Sequence, residues 1–116
     1  MLSTSDLKTI SLNCIPERGE NITTHIFRPN QVIFYKGHFP YGIFILLKGE
    51  IKLEYSEKVS ENVKECSILG INSFLNNTEY LYTVKTVSTC KVCFLSTNIY
   101  KDLLLKNHPI VTLIKS

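Results

Sequence analysis

The sequence has neither a long apolar run nor a basic leader. Its 116 residues hold no apolar stretch near the roughly 20 residues that a bilayer requires. The N-terminus, MLSTSDLKTI, has no basic segment followed by an apolar core, so it does not predict a signal peptide. We therefore expect a cytoplasmic protein without a membrane segment, and in that compartment the four cysteines are expected to be reduced thiols.

An excess of charge of one sign is also missing. The formal net charge is +3, and the lysines are scattered along the chain rather than clustered. Nucleic-acid-binding surfaces are typically basic patches, so no direct contact with nucleic acid is expected from this chain. The hydrophobic fraction is 44% and the charged fraction 20%, which is typical of a globular protein, and the length fits one domain.

The motifs of common enzymes and metal sites are absent as well. We find no Ser-His-Asp arrangement and no Gly-rich nucleotide loop, so catalysis is not predicted. One C-x-x-C occurs, Cys90 to Cys93, but it lies in a strand-like run, where residues three apart point to opposite faces. His25, His38 and His108 are far apart in sequence. The sequence therefore predicts no metal and no cofactor.

Short β-like segments fill the middle of the chain. Turn signals separate them, such as Pro29-Asn30 and Lys48-Gly49. We expect Ile43 to Leu47, a solid apolar run, to be covered on both faces, and Ile51 to Tyr55 to bury only every second side chain. The predicted strands lie within His25–Phe27, Val32–Tyr35, Ile43–Leu47, Ile51–Tyr55, Val63–Leu69, Tyr80–Val87 and Thr89–Leu95. Seven or eight short strands predict a sandwich, a barrel or a jelly roll.

Helical patterns occur at both ends. Ser5-Asp6, followed by Leu7, Ile10 and Cys14, predicts a short N-terminal helix within residues 1–16. A short helix is also expected between Gly70 and Thr78. Thr97 or Asn98 is expected to cap a helix that ends at Asn107-His108-Pro109, and Pro109 to Ile114 predicts a further, very apolar helix. The expected organisation is one domain, with a β region over 22–96 and helices over 97–116.

Residues 22–114 resemble the cyclic nucleotide-binding domain of catabolite-activator and FNR-type bacterial regulators. The resemblance rests on the order and spacing of several short segments, including two glycines, Gly37 and Gly49, at the turn positions of the family. The segments are PNQVIFYKG, IFILLKGEIKL, ILG at 68–70, TVKTV at 83–87, CKV at 90–92 and the helix that ends in His108-Pro109. The resemblance implies a mainly β jelly roll with flanking helices.

The resemblance also implies a ligand site, from which this sequence departs. In the family, backbone N–H groups at the start of a short helix, a glutamate and an arginine hold the cyclic nucleotide. The glutamate position is Ile71 here and the arginine position is Tyr80, and the only two arginines are Arg18 and Arg28. A tyrosine cannot replace the charged fork of an arginine, so we expect no binding of cAMP. The expected ligand-contacting residues are Gly70, Ile71, Asn72, Ser73, Tyr80, Leu81 and Tyr82.

Tyr80 and Tyr82 allow two interpretations, because residues two apart in a strand share a face. They either line a pocket for a different ligand or fill the empty site as core. Three functions follow: a sensor domain with a small-molecule effector, a weak cyclic nucleotide binder that holds the phosphate with the backbone amides of Gly70 to Asn72, or a ligand-free interaction module. The apolar segment from Pro109 to Ile114 would then contact a second copy or a partner protein. The chain would be either a stand-alone domain or the sensor part of a longer regulator, with its last helix cut short.

Overall fold

The fold is given by a computed structural model, which describes residues 7–9, 23–64, 66–108, 111 and 114. Within these residues nine strands and two helices follow one another in the order β1 Leu7–Thr9, β2 Thr23–Phe27, β3 Val32–Phe34, β4 Gly42–Lys48, β5 Ile51–Glu54, β6 Ser60–Val63, β7 Ser67–Leu69, α1 Ile71–Asn76, β8 Thr83–Thr86, β9 Cys90–Ser96 and α2 Thr97–Leu105. In the described part of the chain, neither helix has the length and apolarity that crossing a bilayer demands.

The strands form two antiparallel sheets, as predicted for a jelly roll. One sheet has the order β1-β7-β4-β9-β2 and the other has the order β3-β8-β5-β6. The long strand β4 lies in the middle of the first sheet, where it pairs with β7 and β9. Its residues Ile43 to Leu47 are buried on both faces, which confirms the prediction from the solid apolar run. The mainly β fold with two helices is therefore confirmed.

The turn at Lys48-Gly49 does not close a hairpin between paired strands. β4 belongs to the first sheet and β5 to the second, so the chain changes sheets at this point. Gly49 has a φ of 113°, and a Cβ on it would come within 2.6 Å of Cys90 Sγ. Gly37 also has a positive φ, 89°, so both predicted turn glycines occupy conformations that favour glycine. The pattern predicted the turn but not the switch between sheets, because sequence alternation does not reveal the pairing partner.

Two clusters of buried side chains form the core. The inter-sheet cluster lies between the two sheets and contains Ile33, Phe34, Phe44, Leu46, Ile51, Leu53, Val63, Leu69, Tyr80, Tyr82, Val84, Cys90 and Val92. The helix-side cluster lies between the five-stranded sheet and the helices and contains Ile43, Ile45, Leu47, Ile68, Ile71, Cys93, Leu95, Tyr100, Leu103, Val111 and Ile114. Successive β4 residues alternate between the two clusters because a strand points its side chains to opposite faces.

Two predictions at the chain ends need correction. Leu7–Thr9 is not helical: it forms β1, which pairs antiparallel with β7 through Leu7 opposite Leu69. An available sheet edge overrides a weak helical stripe. The rest of the predicted N-terminal helix, including Cys14, lies outside the described residues. At the other end Ser96, not Thr97 or Asn98, caps α2, because its Oγ accepts a hydrogen bond of 3.2 Å from the Ile99 N–H.

Two further details refine the predicted elements. Val63–Leu69 is not one strand: Val63 ends β6 in the four-stranded sheet, and Ser67–Leu69 forms β7 in the other sheet. The predicted short helix after Gly70 is α1 and is confirmed. In the apolar segment after Pro109, the described residues Val111 and Ile114 are helical and buried in the helix-side cluster. Their side chains therefore contact the domain's own core and are not part of an exposed surface.

Candidate functional site

The candidate site surrounds Gly70, the residue that precedes α1. Gly70 has a φ of 67°, a left-handed conformation that suits glycine, and the chain turns there from β7 into the helix. The Gly70 N–H donates a hydrogen bond of 3.0 Å to the hydroxyl of Tyr82, and this bond is buried. In the family that the sequence resembles, N–H groups at the start of this helix hold the phosphate. Here one of those donors is bonded to the protein's own side chain.

The Tyr80 ring covers the same glycine. A Cβ on Gly70 would come within 2.5 Å of Tyr80 Cε1, so the ring lies directly against the backbone at this point. The Phe34 ring stacks on the Tyr80 ring, with a centroid distance of 3.6 Å and an interplanar angle of 10°. Tyr80 and Tyr82 are 3% and 1% exposed. The space beside Gly70 is therefore filled by aromatic rings.

Backbone hydrogen bonds hold the tyrosine segment in place on both sides. The Gly37 N–H donates to the Tyr80 carbonyl, and the Tyr80 N–H donates to the His38 carbonyl, each at 2.9 Å. On the α1 side, the Ser73 hydroxyl donates to the Glu79 carbonyl at 3.1 Å. The segment before β8 thus joins α1 to the loop between β3 and β4. The strand predicted over Tyr80–Val87 is limited to β8, Thr83–Thr86, and residues 80–82 precede it.

The structure brings together some of the predicted site residues and separates others. Gly70, Tyr80 and Tyr82 are in contact, as described above. Ile71 is buried in the helix-side cluster, on the other side of the five-stranded sheet from the tyrosines. Leu81 lies on the surface and is 58% exposed. Ser73 is buried and Asn72 half-buried. The assignment of these residues to a ligand stays a prediction.

Sequence reasoning missed Phe34. It contacts Tyr80 by stacking and Tyr82 with a centroid distance of 5.8 Å, so it is the ring that links both tyrosines to β3. The sequence shows only an aromatic residue in a short strand, far from the tyrosines along the chain. The pairing of β3 with β8 brings them together, with Phe34 opposite Val84. No local signal reveals such a pairing, although a buried aromatic in a strand of the jelly roll is a general pointer.

The cysteines behave as core residues. Cys90 and Cys93 both lie on β9 but belong to different clusters, Cys90 to the inter-sheet and Cys93 to the helix-side cluster, as the strand position predicted. Burial, together with a smaller contribution from the nearby Cys66, raises the pKa of the Cys93 thiol to about 11. Burial also raises the pKa of Cys66 and that of Cys90. Among the described residues, no group of three or more His, Cys, Asp or Glu side chains is placed to hold a metal.

Comparison with solved structures shows the same fold in bacterial regulators. A transcriptional regulator from Thermotoga maritima matches with a TM-score of 0.66 and 17% identity, over 79% of this chain and 76% of that one. A cyclic nucleotide-binding-like protein from Brucella abortus matches with a TM-score of 0.63 and 20% identity, over 72% and 75%.

The catabolite activator protein of Thermus thermophilus matches with a TM-score of 0.65 and 14% identity, over 81% of this chain but 48% of that protein. None of the curated proteins compared with the chain matches it. The sequence model of the cyclic nucleotide-binding domain matches residues 24–107, which is well over half of the chain. The chain therefore belongs to the cyclic nucleotide-binding domain family.

Proposed function

We propose that this chain is a regulatory domain of the catabolite-activator and FNR type that does not bind cAMP between its sheets. The observation that carries the proposal is the occupation of the Gly70 site by the protein's own rings. The Tyr82 hydroxyl accepts a hydrogen bond of 3.0 Å from the Gly70 N–H, and the Tyr80 ring lies against the same glycine. A phosphate at this glycine would have to displace both side chains.

The chemistry of the substituted positions supports the proposal. Ile71 offers no acceptor for a ribose hydroxyl, and it packs in the helix-side cluster rather than toward the tyrosines. Tyr80 is neutral and stacked on Phe34, so it offers no charged fork to a phosphate. A hydrogen bond to a charged group contributes about 1.5–3 kcal/mol, and two such bonds would be missing here. Expelling buried rings would add the cost of exposing their apolar surface.

Isothermal titration calorimetry with cAMP and cGMP tests this proposal. We expect no saturable heat with either nucleotide at concentrations of about 1 mM, the level that corresponds to a binding free energy of about 4 kcal/mol. The Tyr80→Ala variant, checked for folding by circular dichroism, is a matched control because it removes the ring from Gly70. The proposal would be overturned if cAMP or cGMP bound the wild-type chain saturably at micromolar concentration and neither AMP nor phosphate buffer competed with this binding.

The regulatory part of the proposal is supported by the fold neighbours, two of which are a transcriptional regulator and a catabolite activator protein. We further propose that the domain has no catalytic activity of its own and acts on a partner or on further residues of a longer protein. Two measurements test whether the C-terminal helices bring two copies together. One is a fusion of this chain to a reporter of dimer formation, and the other is sedimentation velocity of the chain alone.

A second candidate function, a ligand-free interaction module, is favoured by exposed apolar side chains around the tyrosine segment. Phe39, Tyr41 and Leu81 are each more than half exposed, at 57%, 66% and 58%. Phe39 and Leu81 line one shallow surface depression of about 390 Å³. Apolar patches of this kind mark contact surfaces. If sedimentation velocity detects a dimer, Leu81→Ser should weaken it, whereas Leu105→Ser should not; equal effects would contradict this surface.

A further inference from the structure

A separate depression, the helix cleft, lies between α1 and α2. Its volume is about 460 Å³, within the range of small-molecule sites. It opens beside Pro40, at the end of the loop that precedes β4. Apolar or aromatic side chains form most of its wall, including Pro40, Phe74, Leu75, Tyr100 and Leu104, and Lys101 adds a positive charge.

The two helices shape the cleft through their aromatic residues. Phe74 of α1 and Tyr100 of α2 meet edge to face, with ring centroids 5.1 Å apart. Both rings pack against the helix-side cluster, so this part of the wall is fixed by the core. Leu75, by contrast, is 43% exposed, and Leu104 is half-buried. A leucine held at the edge of a concave surface beside a fixed aromatic pair is suited to bind an apolar chain.

One positive charge stands in the cleft wall without a matching carboxylate. Lys101 lies on α2, and among the residues that the structure describes no carboxylate is within ion-pair distance of its ammonium group. Its neighbour Asp102 is engaged by Lys106, with Nζ 3.0 Å from Oδ2. The hydroxyl of Thr97, which also lines the cleft, donates to the Tyr41 carbonyl at 3.0 Å. The described lining residues of the cleft therefore include a single cation, Lys101, next to an apolar surface.

We propose that the helix cleft binds an amphipathic small molecule with an apolar chain and one carboxylate. The apolar chain of the ligand would lie along Phe74, Leu75 and Leu104, and its carboxylate would bind Lys101. A monoanionic head is favoured because the described residues of the wall supply one ammonium group and no planar arginine fork. Such a ligand would contact α1 and α2 at once and would stabilise their packing by binding the folded state. The site lies outside the inter-sheet cluster, so the proposal does not depend on whether cAMP binds there.

Nuclear magnetic resonance titration of the full chain with decanoate tests the proposal. We expect saturable amide shifts at Leu75, Asn77 and Lys101, below the concentration at which decanoate forms micelles. Decylamine keeps the apolar chain but reverses the charge of the head, and acetate keeps only the carboxylate head. Each is expected to bind at least about tenfold more weakly than decanoate, because a charged hydrogen bond and a buried apolar chain each contribute more than about tenfold to affinity.

Substitutions with matched controls locate the site. Lys101→Gln and Leu75→Ser should each raise the dissociation constant for decanoate about tenfold. The controls are Lys58→Gln, an exposed lysine in the loop between β5 and β6, and Leu105→Ser, a leucine of α2 that is 83% exposed. Both should leave the constant unchanged. The proposal is overturned by the absence of saturable shifts, by decylamine binding as tightly as decanoate, or by equal effects of the Lys101 and Lys58 variants. None of these outcomes bears on the nucleotide titration.

Discussion

The inter-sheet cluster is rich in aromatic rings, whereas the helix-side cluster is mostly aliphatic. Phe34, Phe44, Tyr80 and Tyr82 are all buried in the first, and Phe34 makes ring contacts with the other three. The second contains a single aromatic residue among its buried members, Tyr100. Strand β4 contributes to both, so the same backbone supports two different kinds of packing.

The contrast indicates where this domain has room for a ligand. The aromatic cluster fills the space beside Gly70 and uses the hydroxyl of Tyr82 to satisfy a buried backbone donor. Large rings in fixed contacts leave a close-packed interior that a ligand can enter only by displacing them. The helix-side cluster is closed toward the sheet, but its outer edge forms the helix cleft between Phe74 and Leu104. The helix-side cluster thus borders a concave surface, whereas the space beside Gly70 in the inter-sheet cluster is filled.

The largest expected effect comes from removing the ring that links the two tyrosines. Phe34→Ala should lower the free energy of unfolding by about 3–5 kcal/mol, because it leaves a cavity and exposes the stacked face of Tyr80. Urea denaturation followed by circular dichroism measures this. Phe34→Leu keeps most of the apolar volume and should cost about 1.5 kcal/mol or less. Equal losses for the two variants would contradict this explanation by apolar volume and would show that the aromatic stack itself sets the cost.

The matching substitution on the helix side is Leu103→Ala. Leu103 is fully buried at 0% exposure, so its loss should cost about 3 kcal/mol in urea denaturation. The nuclear magnetic resonance ring signals of Tyr80 and Tyr82 are expected to stay close to those of the wild type, because the cavity forms on the other side of the five-stranded sheet. Leu105→Ala is the control, since Leu105 is 83% exposed and should change stability by no more than about 0.5 kcal/mol. Changed ring signals of Tyr80 and Tyr82 in Leu103→Ala would show that the two clusters are not independent.

The cysteines of β9 give a pH test of the helix-side cluster. Burial raises the pKa of Cys93 from the ordinary 9.0 to about 11, so the folded state holds the neutral thiol. Below pH 9 both states are protonated and the contribution is complete. Between about pH 9 and about pH 11 the thiol ionises only in the unfolded state, so the folded state loses roughly 2–3 kcal/mol of stability as the pH rises through this range.

Urea denaturation at pH 8 and at pH 10.5 measures this loss, and the Cys93→Ala variant removes it. The variant is less stable at pH 8, but its stability should fall less steeply over the same interval. Other groups titrate there in both proteins, so the difference between the two slopes is the quantity of interest. Parallel pH profiles for wild type and Cys93→Ala would show that the thiol titrates with its ordinary pKa.

The sequence predicted the β4 core and the turn glycines because their signals are local. The side chains of a solid apolar run such as Ile43 to Leu47 are all buried only if both faces of the strand are covered. Gly37 and Gly49 stand where the backbone needs a positive φ. Leu7–Thr9 was predicted wrongly as helix because a stripe of three residues is weak, and pairing with β7 decides the conformation. Such pairing is a long-range property that a short pattern does not contain.

The candidate site was predicted in part for the same reason. The shared face of Tyr80 and Tyr82 follows from their spacing, and both are buried together. Their contact with Phe34, and the hydrogen bond from Gly70 to Tyr82, depend on how the two sheets close over each other. Likewise, the position of Ile71 in the helix-side cluster depends on the direction in which α1 leaves Gly70. The helix cleft joins residues of two helices and a loop, which no spacing rule connects.

The smallest expected effect isolates a single hydroxyl of the inter-sheet cluster. Tyr82→Phe keeps the ring and removes the acceptor of the Gly70 N–H, so it should cost about 1 kcal/mol in urea denaturation. Amide hydrogen exchange should quicken at Gly70 more than at Ile68 or Leu69, because the donor loses its buried partner while β7 keeps its ladder. Tyr41→Phe, at a tyrosine that is 66% exposed, should change neither quantity. If Gly70 exchanges at the wild-type rate in Tyr82→Phe, the hydroxyl does not hold this donor, and only the Tyr80 ring would cover the phosphate position of the family.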